Sequence, residues 1–316
     1  MNKYYFEGDG DKYINFVICS HGDADHASGL SVLFDNFTIG ALYVNRPWKY
    51  ASELFEHVND ERITVKSLED RLKKKYRFIA ELEEKAEKHK IPIFEAFEGA
   101  LINERITILS PSKEFYLELI VESDKTPLEE ASSLESNDGF LSKVILKASN
   151  LVKYIVESWT KESLREDVST SADNEMSVVV HGDMVNGRFL FTGDAGIRAL
   201  SNALDFAESI SIAMQDVTFH QIPHHGSKKN VSPTVLNRLV GEVVNEDAEA
   251  KKTAFISIGK GSEKPIKMVK NAYIRRGCKV CVVSGSTVRH KQGTPDREGW
   301  KSVVPASFNN EVEDWD

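Results

Sequence analysis

The 316-residue chain lacks most features of membrane, secreted and disulfide-stabilised proteins. No apolar run approaches the roughly 18 residues that a membrane-spanning helix needs, and the first residues contain no signal-peptide segment. The three cysteines are too few for a disulfide scaffold, so we expect a cytoplasmic protein with no membrane contact. Cys278 and Cys281 have the spacing of a metal or redox pair. On a predicted strand, however, residues three apart face opposite sides, so we interpret the spacing as incidental.

The chain also lacks a positive net charge and a nucleophilic serine motif. Its formal net charge is -9, from 40 basic and 49 acidic side chains, which argues against a general nucleic-acid coat. A nuclease is not excluded, because bound metal ions and local basic patches can supply positive charge. No Gly-x-Ser-x-Gly turn is present, which excludes the usual serine hydrolases. Hydrophobic residues make up 41% of the chain, enough for a sizeable core.

The densest group of polar side chains follows an apolar run near the N-terminus. Residues 13–19 predict a buried strand, and His21-Gly-Asp23-Ala-Asp25-His26 follows where this strand passes into a helix. A helix cap would need only one acidic residue. Several carboxylates crowded at such a place are costly unless a cation compensates them. The segment therefore predicts a site for divalent metal ions.

This segment resembles the first metal motif of the metallo-β-lactamase fold, which is written His-x-His-x-Asp-His. Asp23 stands in place of the second histidine, as in the hydrolase domain of ComEC-type DNA-uptake competence proteins. Three later segments agree with that family in order and spacing. They are Phe189–Ala195, which contains Asp194; Gln221–Lys228, which contains Pro-His-His-Gly-Ser; and Asn174-x-x-Ser177. The resemblance covers roughly residues 13–290.

The resemblance implies an α/β fold, an αββα sandwich of two sheets between outer helices, formed by a single domain over residues 1–316. Only 20 residues precede His21, so we expect the opening strands of the family to be missing. The exposed edge of the N-terminal sheet would then be covered by a protein partner or a second copy of the chain. Helical insertions are expected at about 46–104 and 112–172.

Periodicity and turn signals predict the other elements. We expect strands at 37–44, 105–109 and 217–222, a hairpin of 177–181 with 188–191, and a βαβ unit over 253–284. A helix is expected to start at Ser67 and continue to Ala86, and another to run over 141–159. The polar tract 161–174 and the acidic tail 311–316 are expected to be mobile.

Spacing and resemblance together imply a two-metal site. Its expected ligands are His21, Asp23, Asp25, His26, Asp194, His224 and His225, with Asp194 bridging and one of the paired histidines completing the set. The ions would be Zn²⁺ or Mn²⁺, with Mg²⁺ and Fe²⁺ also open, because oxygen donors shift preference away from zinc. Asp25 and His225 are the candidate catalytic groups. We also expect mutual repulsion to raise the pKa of at least one of Asp23, Asp25 and Asp194.

Residues around these ligands are assigned supporting roles. The family has a histidine in its third motif where this sequence has Asp173 and Asn174, so either one metal ion has a ligand fewer or one of these two residues takes the place of the histidine. Ser177 and His290 are expected to lie just outside the ligands. Ser227, Lys228 and Lys229 are expected to bind a substrate phosphate.

The expected function is that of a metal-dependent phosphodiesterase or nuclease, in which a metal-bound hydroxide attacks phosphorus in line. Its substrate would be a nucleic acid or a small phosphodiester. Two alternatives remain open: a non-catalytic or partner-dependent subunit of a larger assembly, and an ester or lactam hydrolase.

Overall fold

The computed structural model describes residues 12–56, 63–125, 154–259 and 266–315. Its strands are β1 (Tyr13–Ile14), β2 (Val17–Ile18), β3 (Thr38–Ile39), β4 (Leu42–Tyr43), β5 (Ile93–Phe94), β6 (Leu101–Ile102), β7 (Ile106–Ser110), β8 (Tyr154–Val156), β9 (Val179–Met184), β10 (Gly187–Phe191), β11 (Val217–Gln221), β12 (Lys252–Ile258), β13 (Cys278–Ser284) and β14 (Glu311–Glu313). Its α-helices are α1 (Ala24–Ala27), α2 (Ser31–Asn36), α3 (Ala51–Phe55), α4 (Val65–Lys75), α5 (Arg77–Lys88), α6 (Lys113–Lys125), α7 (Ala172–Glu175), α8 (Ile197–Ser209), α9 (Pro233–Leu239) and α10 (Lys267–Arg275).

The larger sheet is mixed. Within the described ranges it has seven strands in the order β13-β12-β11-β10-β9-β7-β6, and the strands from β10 to β13 are parallel to one another. Parallel strands need helical crossovers, and α10 supplies the one between β12 and β13. Helix α8 buries Leu200 and Leu204 together with three alanines, so a smooth apolar face packs on the sheet. The predicted hairpin and βαβ unit are confirmed.

A smaller parallel sheet, β2-β4-β5, faces the larger one, and β1 pairs separately with β3. Phe16, Ile18 and Tyr43 from this side pack against a buried cluster that includes Ile108 and Val180 of the larger sheet. An apolar layer therefore separates two sheets, and the predicted α/β class is confirmed. None of the helices in the described part of the chain is long and apolar enough to cross a membrane.

Two predicted boundaries in the first half are wrong. The strand expected over 37–44 is split into β3 and β4, which pair with different partners, β1 and β2. The helix expected to start at Ser67 starts at Val65. Thr64 is the N-cap, and its hydroxyl oxygen accepts a hydrogen bond from the backbone amide of Ser67, the third helical residue. This helix also breaks at Tyr76, whose ψ of 47° separates α4 from α5.

The segment 46–104, predicted as an insertion, contributes directly to the core. Its strands β5 and β6 join the smaller and the larger sheet respectively. Helices α4 and α5 bury Leu72, Ile79 and Leu82 in the main apolar cluster. Helical periodicity alone does not show which sheet a helix covers, so this contribution to the core could not be predicted from the sequence.

The expectations for 141–159, for 161–174 and for the tail also need correction. Residues 154–156 form strand β8, not a helix, and 141–153 lie outside the described residues. Strand β8 pairs with β14 of the predicted loose tail, where Val312 is fully buried. The tract 161–174 is held as well, since the Trp315 indole donates to the Ser163 carbonyl at 2.7 Å. Few apolar residues hold the tract and the tail in place, which is why the composition of both segments predicted mobility.

Candidate metal centre

Three strands deliver the predicted ligands to one place. His21 follows β2, Asp194 follows β10, and His224 and His225 follow β11. Parallel strands such as β10 and β11 bring their carboxyl ends to the same edge of a sheet, where ligands commonly bind. The smaller sheet is tied to this edge by a backbone hydrogen bond of 2.9 Å from the Val178 amide to the Ser20 carbonyl.

Asp194 lies at the centre of the first group of ligands. Its Oδ1 is 3.0 Å from His26 Nε2, and its Oδ2 is 3.9 Å from His21 Nε2 and 3.7 Å from His224 Nε2. Asp23 Oδ2 lies 3.6 Å from His21 Nε2. Such separations are those of donors that share one ion at about 2.0–2.2 Å each.

A second group shares His26 with the first. His225 Nε2 lies 3.0 Å from Asp25 Oδ2, and His26 Nε2 lies 3.8 Å from the same oxygen. Asp25, His26 and His225 together form a set of donors that all lie within 4.8 Å of one another. The arrangement thus offers two adjacent positions for cations, and it brings together all seven predicted ligands.

Several buried polar atoms at the site lack hydrogen-bond partners among the described residues, as expected of atoms that bind a metal ion. His21 Nε2, His26 Nε2 and Asp194 Oδ1 are buried, and apart from the 3.0 Å approach of His26 Nε2 to Asp194 Oδ1 they have no hydrogen-bond partner in the part of the chain that the structure describes. Leaving one such atom unpaired costs about 1–3 kcal/mol, and three at one point are exceptional. A divalent cation would satisfy all three at once.

The tautomer of His225 leads to the same conclusion. Its Nδ1 lies 2.7 Å from the carbonyl oxygen of Ser257, which can only accept, so Nδ1 carries a hydrogen. In the neutral ring the lone pair of Nε2 then faces the carboxylate of Asp25. Two lone pairs 3.0 Å apart repel unless a proton or a metal ion joins them.

The outward ring nitrogens of two other histidines also have partners. His21 Nδ1 lies 3.2 Å from the hydroxyls of both Ser20 and Ser177. His224 Nδ1 donates at 2.9 Å to Asn230 Oδ1, and Asn230 Nδ2 donates at 2.8 Å to the Asp194 carbonyl. Such partners fix the orientation of metal-binding imidazoles. Ser177 was predicted near the ligands. Ser20, Asn230 and the Ser257 carbonyl were not, because no motif marks them.

The backbone at the paired histidines is strained. His224 has φ 45° and ψ 48°, and His225 has φ 55° and ψ 25°. Each left-handed residue other than glycine costs roughly 1–2 kcal/mol. Gly193, with φ 53°, also lies so close that an added Cβ would be 3.0 Å from the Cβ of Ser20. The fold tolerates this strain at the positions that direct His224, His225 and Asp194 toward a common point.

The pKa values contradict the expectation that repulsion dominates. Burial alone would raise the pKa of Asp194, but the imidazoles of His26, His21 and His224 outweigh it and lower the pKa to about 2. The His21 imidazole likewise lowers the pKa of Asp23. For His26, burial opposes the charged ring, yet Asp194 raises its pKa above the ordinary value. The predicted raised pKa is therefore wrong for Asp23 and Asp194, because the histidines compensate their negative charge.

The two residues in the place of the family's third-motif histidine behave differently. Asp173 turns away from the ligands and accepts hydrogen bonds from Tyr76 at 3.0 Å and Ser123 at 2.8 Å. Asn174 Nδ2 lies 3.3 Å from His224 Nδ1. Asn174 is thus the one that reaches the centre, and it does so next to a ligand.

The predicted phosphate-binding residues and His290 make their contacts with groups outside the ligand set. The Ser227 hydroxyl accepts from the Lys229 amide, and the Lys229 side chain is exposed. The Lys228 ammonium donates to the Asp314 carbonyl and lies over the Trp315 ring, toward β14. His290 packs on Phe219 with ring centres 4.6 Å apart, which places it on a sheet face and not among the ligands.

Comparisons with known proteins do not extend this assignment. No model of a known protein family matches the chain, and no curated protein matches it.

Proposed function

We propose that this protein is a metal-dependent hydrolase of the metallo-β-lactamase fold that cleaves phosphodiesters. The observation that carries the proposal is the convergence of three buried atoms without hydrogen-bond partners in the described chain, His21 Nε2, His26 Nε2 and Asp194 Oδ1. The two facing sheets, with the ligands at the carboxyl ends of β2, β10 and β11, also agree with the αββα arrangement.

His21, Asp23, Asp194 and His224 would hold one ion, and Asp25, His26 and His225 the other, with Asp194 Oδ1 next to His26. Divalent ions bound there would act as Lewis acids and lower the pKa of water. Three carboxylates among the ligands favour Mn²⁺ or Mg²⁺ more than an all-histidine site would, and Zn²⁺ also suits the imidazoles.

Asp25 and His225 lie on the open side of the centre, since the Asp25 side chain is largely exposed. A substrate can reach this side, whereas His21 and Asp194 are buried behind it. Because the Ser257 carbonyl holds the hydrogen on His225 Nδ1, the lone pair of Nε2 is the one available to bind an ion. We assign His225 Nε2, together with Asp25, to hold the ion on this open side, where a substrate phosphate would meet it.

The test uses the full chain, stripped with EDTA and reloaded with Mn²⁺ or Zn²⁺. Metal content is measured first. Hydrolysis of bis-p-nitrophenyl phosphate, DNA and RNA oligonucleotides, a p-nitrophenyl ester and a chromogenic β-lactam is measured next. Asp194→Asn keeps the side-chain volume and should lower turnover at least about a hundredfold, because it replaces one carboxylate oxygen among the three histidines by an NH₂ group that cannot bind a cation. Asp205→Asn, at an exposed carboxylate, is the matched control.

The outcomes separate the alternatives. Turnover by Asp194→Asn equal to that of the parent, in excess Mn²⁺, would refute the metal mechanism. Hydrolysis confined to the ester or the lactam would replace the phosphodiester by a carbonyl substrate. Stoichiometric metal binding without any hydrolysis would favour the partner-dependent subunit.

A further inference from the structure

A row of aromatic rings crosses three neighbouring strands of the larger sheet. We call it the aromatic strip; its members are Phe189, Phe191, Phe219, Phe255 and His290. Ring centres are 4.6 Å apart for Phe189 and Phe191, 6.1 Å for Phe191 and Phe219, and 5.0 Å for Phe219 and Phe255. The ring of His290 lies 4.6 Å from Phe219. The rings form one continuous surface.

The strip lies on the sheet face opposite the helices. Along β10 and β11 its phenylalanines alternate with Leu190 and His220, which are fully buried on the helix side. The phenylalanines are only partly covered, and Phe191 is 41% exposed. They line an open groove of about 670 Å³. An aromatic surface of this kind on a sheet is unusual unless it binds something.

Among the described residues, the side chains with a permanent charge that line this groove are all arginines. Arg105, Arg188 and Arg289 line it, and no acidic residue is among the described residues that do. Arg188 is held in place by Asp183 and Asp216 at 3.2 and 2.7 Å. Arg105 is exposed and donates one hydrogen bond, at 3.4 Å, to the Asp183 carbonyl. In a chain of net charge -9, a cationic groove is a local feature that favours an anionic ligand.

The groove leads to the metal centre. Phe191 is the last residue of β10 and comes three residues before Asp194, which lies in the turn that follows the strand. Phe255 comes two residues before Ser257, whose carbonyl holds His225. A chain bound along the strip would therefore pass directly to the catalytic side.

We propose that the aromatic strip binds single-stranded nucleic acid, with bases stacked on the phenylalanines and phosphates paired with the arginines. Stacking on aromatic rings within a cationic groove is the general way in which proteins hold single strands without sequence preference. A duplex hides its base faces and would not use the rings. The inference rests on the proposed function for the reaction, but the binding itself needs no metal.

Binding is measured by fluorescence anisotropy with a labelled oligothymidylate of about 12 nucleotides, in EDTA so that no cleavage occurs. Oligouridylate and a duplex of equal length are the other probes. Phe191→Ala and Phe191→Leu should each weaken oligothymidylate binding about tenfold, because both remove a stacking surface. Phe191→Trp should bind at least as tightly as the parent. Phe94→Ala, at a 47% exposed strand residue that stacks on Tyr43, should bind unchanged.

A second variant tests the phosphate contacts without touching the packing. Arg105→Gln should reduce the slope of log affinity against log salt concentration by about 0.7, the value for one phosphate contact to a single strand. Unfolding in urea shows whether each variant is folded.

Three results would overturn the inference: no binding of either oligonucleotide, equal binding by Phe191→Leu and the parent, or stronger binding of the duplex. A dimer in light scattering that Phe191→Ala dissociates would make a second copy of the chain the occupant instead. Hydrolysis of bis-p-nitrophenyl phosphate without oligonucleotide binding would refute this inference and leave the proposed function intact. Oligonucleotide binding without any hydrolysis would refute the proposed function and leave this inference intact.

Discussion

The hydrogen bonds of the outward ring nitrogens orient the histidines of the candidate metal centre. His224 depends on Asn230, which accepts from its Nδ1 and also donates to the Asp194 carbonyl. One buried amide thus positions two ligands from different strands. Sequence inspection could not find Asn230, because an asparagine six residues after a histidine has no recognisable pattern.

Asn230→Leu should therefore weaken metal binding by about 10- to 100-fold, the usual effect of losing a partner of a metal-binding histidine. The affinity is measured by competition with a chromogenic zinc chelator. Asn36→Leu, at an exposed asparagine on α2, is the control and should bind as the parent does. Equal affinities of Asn230→Leu and the parent would show that His224 is not a ligand.

His220 illustrates a histidine without a catalytic role. It lies fully buried on β11, and neither ring nitrogen has a hydrogen-bond partner in the described part of the chain. Burial, assisted by the nearby Lys252, lowers its pKa from 6.5 to about 3. The folded protein therefore keeps the ring neutral at mildly acidic pH.

A pH dependence of stability follows from this shift. Below about pH 6.5 the unfolded chain binds a proton at His220 that the folded chain does not bind until about pH 3. Stability is thus lost as pH falls through this window, by up to about 1.4 kcal/mol per pH unit from this residue. His220→Leu should reduce the difference between the free energies of unfolding in urea at about pH 7 and at about pH 5, both measured in EDTA. His89→Leu, at an exposed histidine, should leave it unchanged.

Among strands and helices, the predictions from the sequence were most accurate where the pattern of apolar residues alone determines the element. The hairpin β9–β10 and the unit β12-α10-β13 show clear alternation or long apolar runs, and both are confirmed. Errors arose where tertiary contacts decide. β3 and β4 split one apolar run between two partners. β8 is three residues long and forms by pairing with β14, which lies far away in sequence.

The pairing of β14 with β8 predicts that the acidic tail contributes to stability. Val312→Ala removes two methyl groups from a fully buried side chain and should cost about 2 kcal/mol. The free energy of unfolding is measured in urea. Val304→Ala is the same substitution at a side chain that is 87% exposed, and it should change stability by less than about 0.5 kcal/mol. Equal effects would mean that the tail is not docked in solution.

Across the molecule, the candidate metal centre lies between the two sheets. His21 and His26 follow the smaller sheet, whereas Asp194, His224 and His225 follow the larger one. The sequence predicted this ligand set from spacing and resemblance. It could not predict the aromatic strip, since rings on three strands become neighbours only through strand order and register.

Metal binding should consequently stabilise the whole fold. With Zn²⁺ or Mn²⁺ at about 100 times its dissociation constant, the free energy of unfolding should rise by about 2.7 kcal/mol. Urea unfolding with metal and with EDTA measures the difference. Asp194→Asn should lose most of it. An unchanged unfolding curve on adding metal, or equal stabilisation of Asp194→Asn, would contradict a centre shared by both sheets.

The distribution of the ligands along the chain also governs when activity can arise during biosynthesis. His26 and Asp194 are separated by 168 residues (194 minus 26), which a ribosome takes roughly 8–34 s to add. His225 emerges later still, so a nascent chain carries His21–His26 without the residues that complete the centre. If the chain has the proposed phosphodiesterase activity, the nascent chain itself cannot cleave the messenger RNA from which it is being translated until β11 and the paired histidines have left the ribosome.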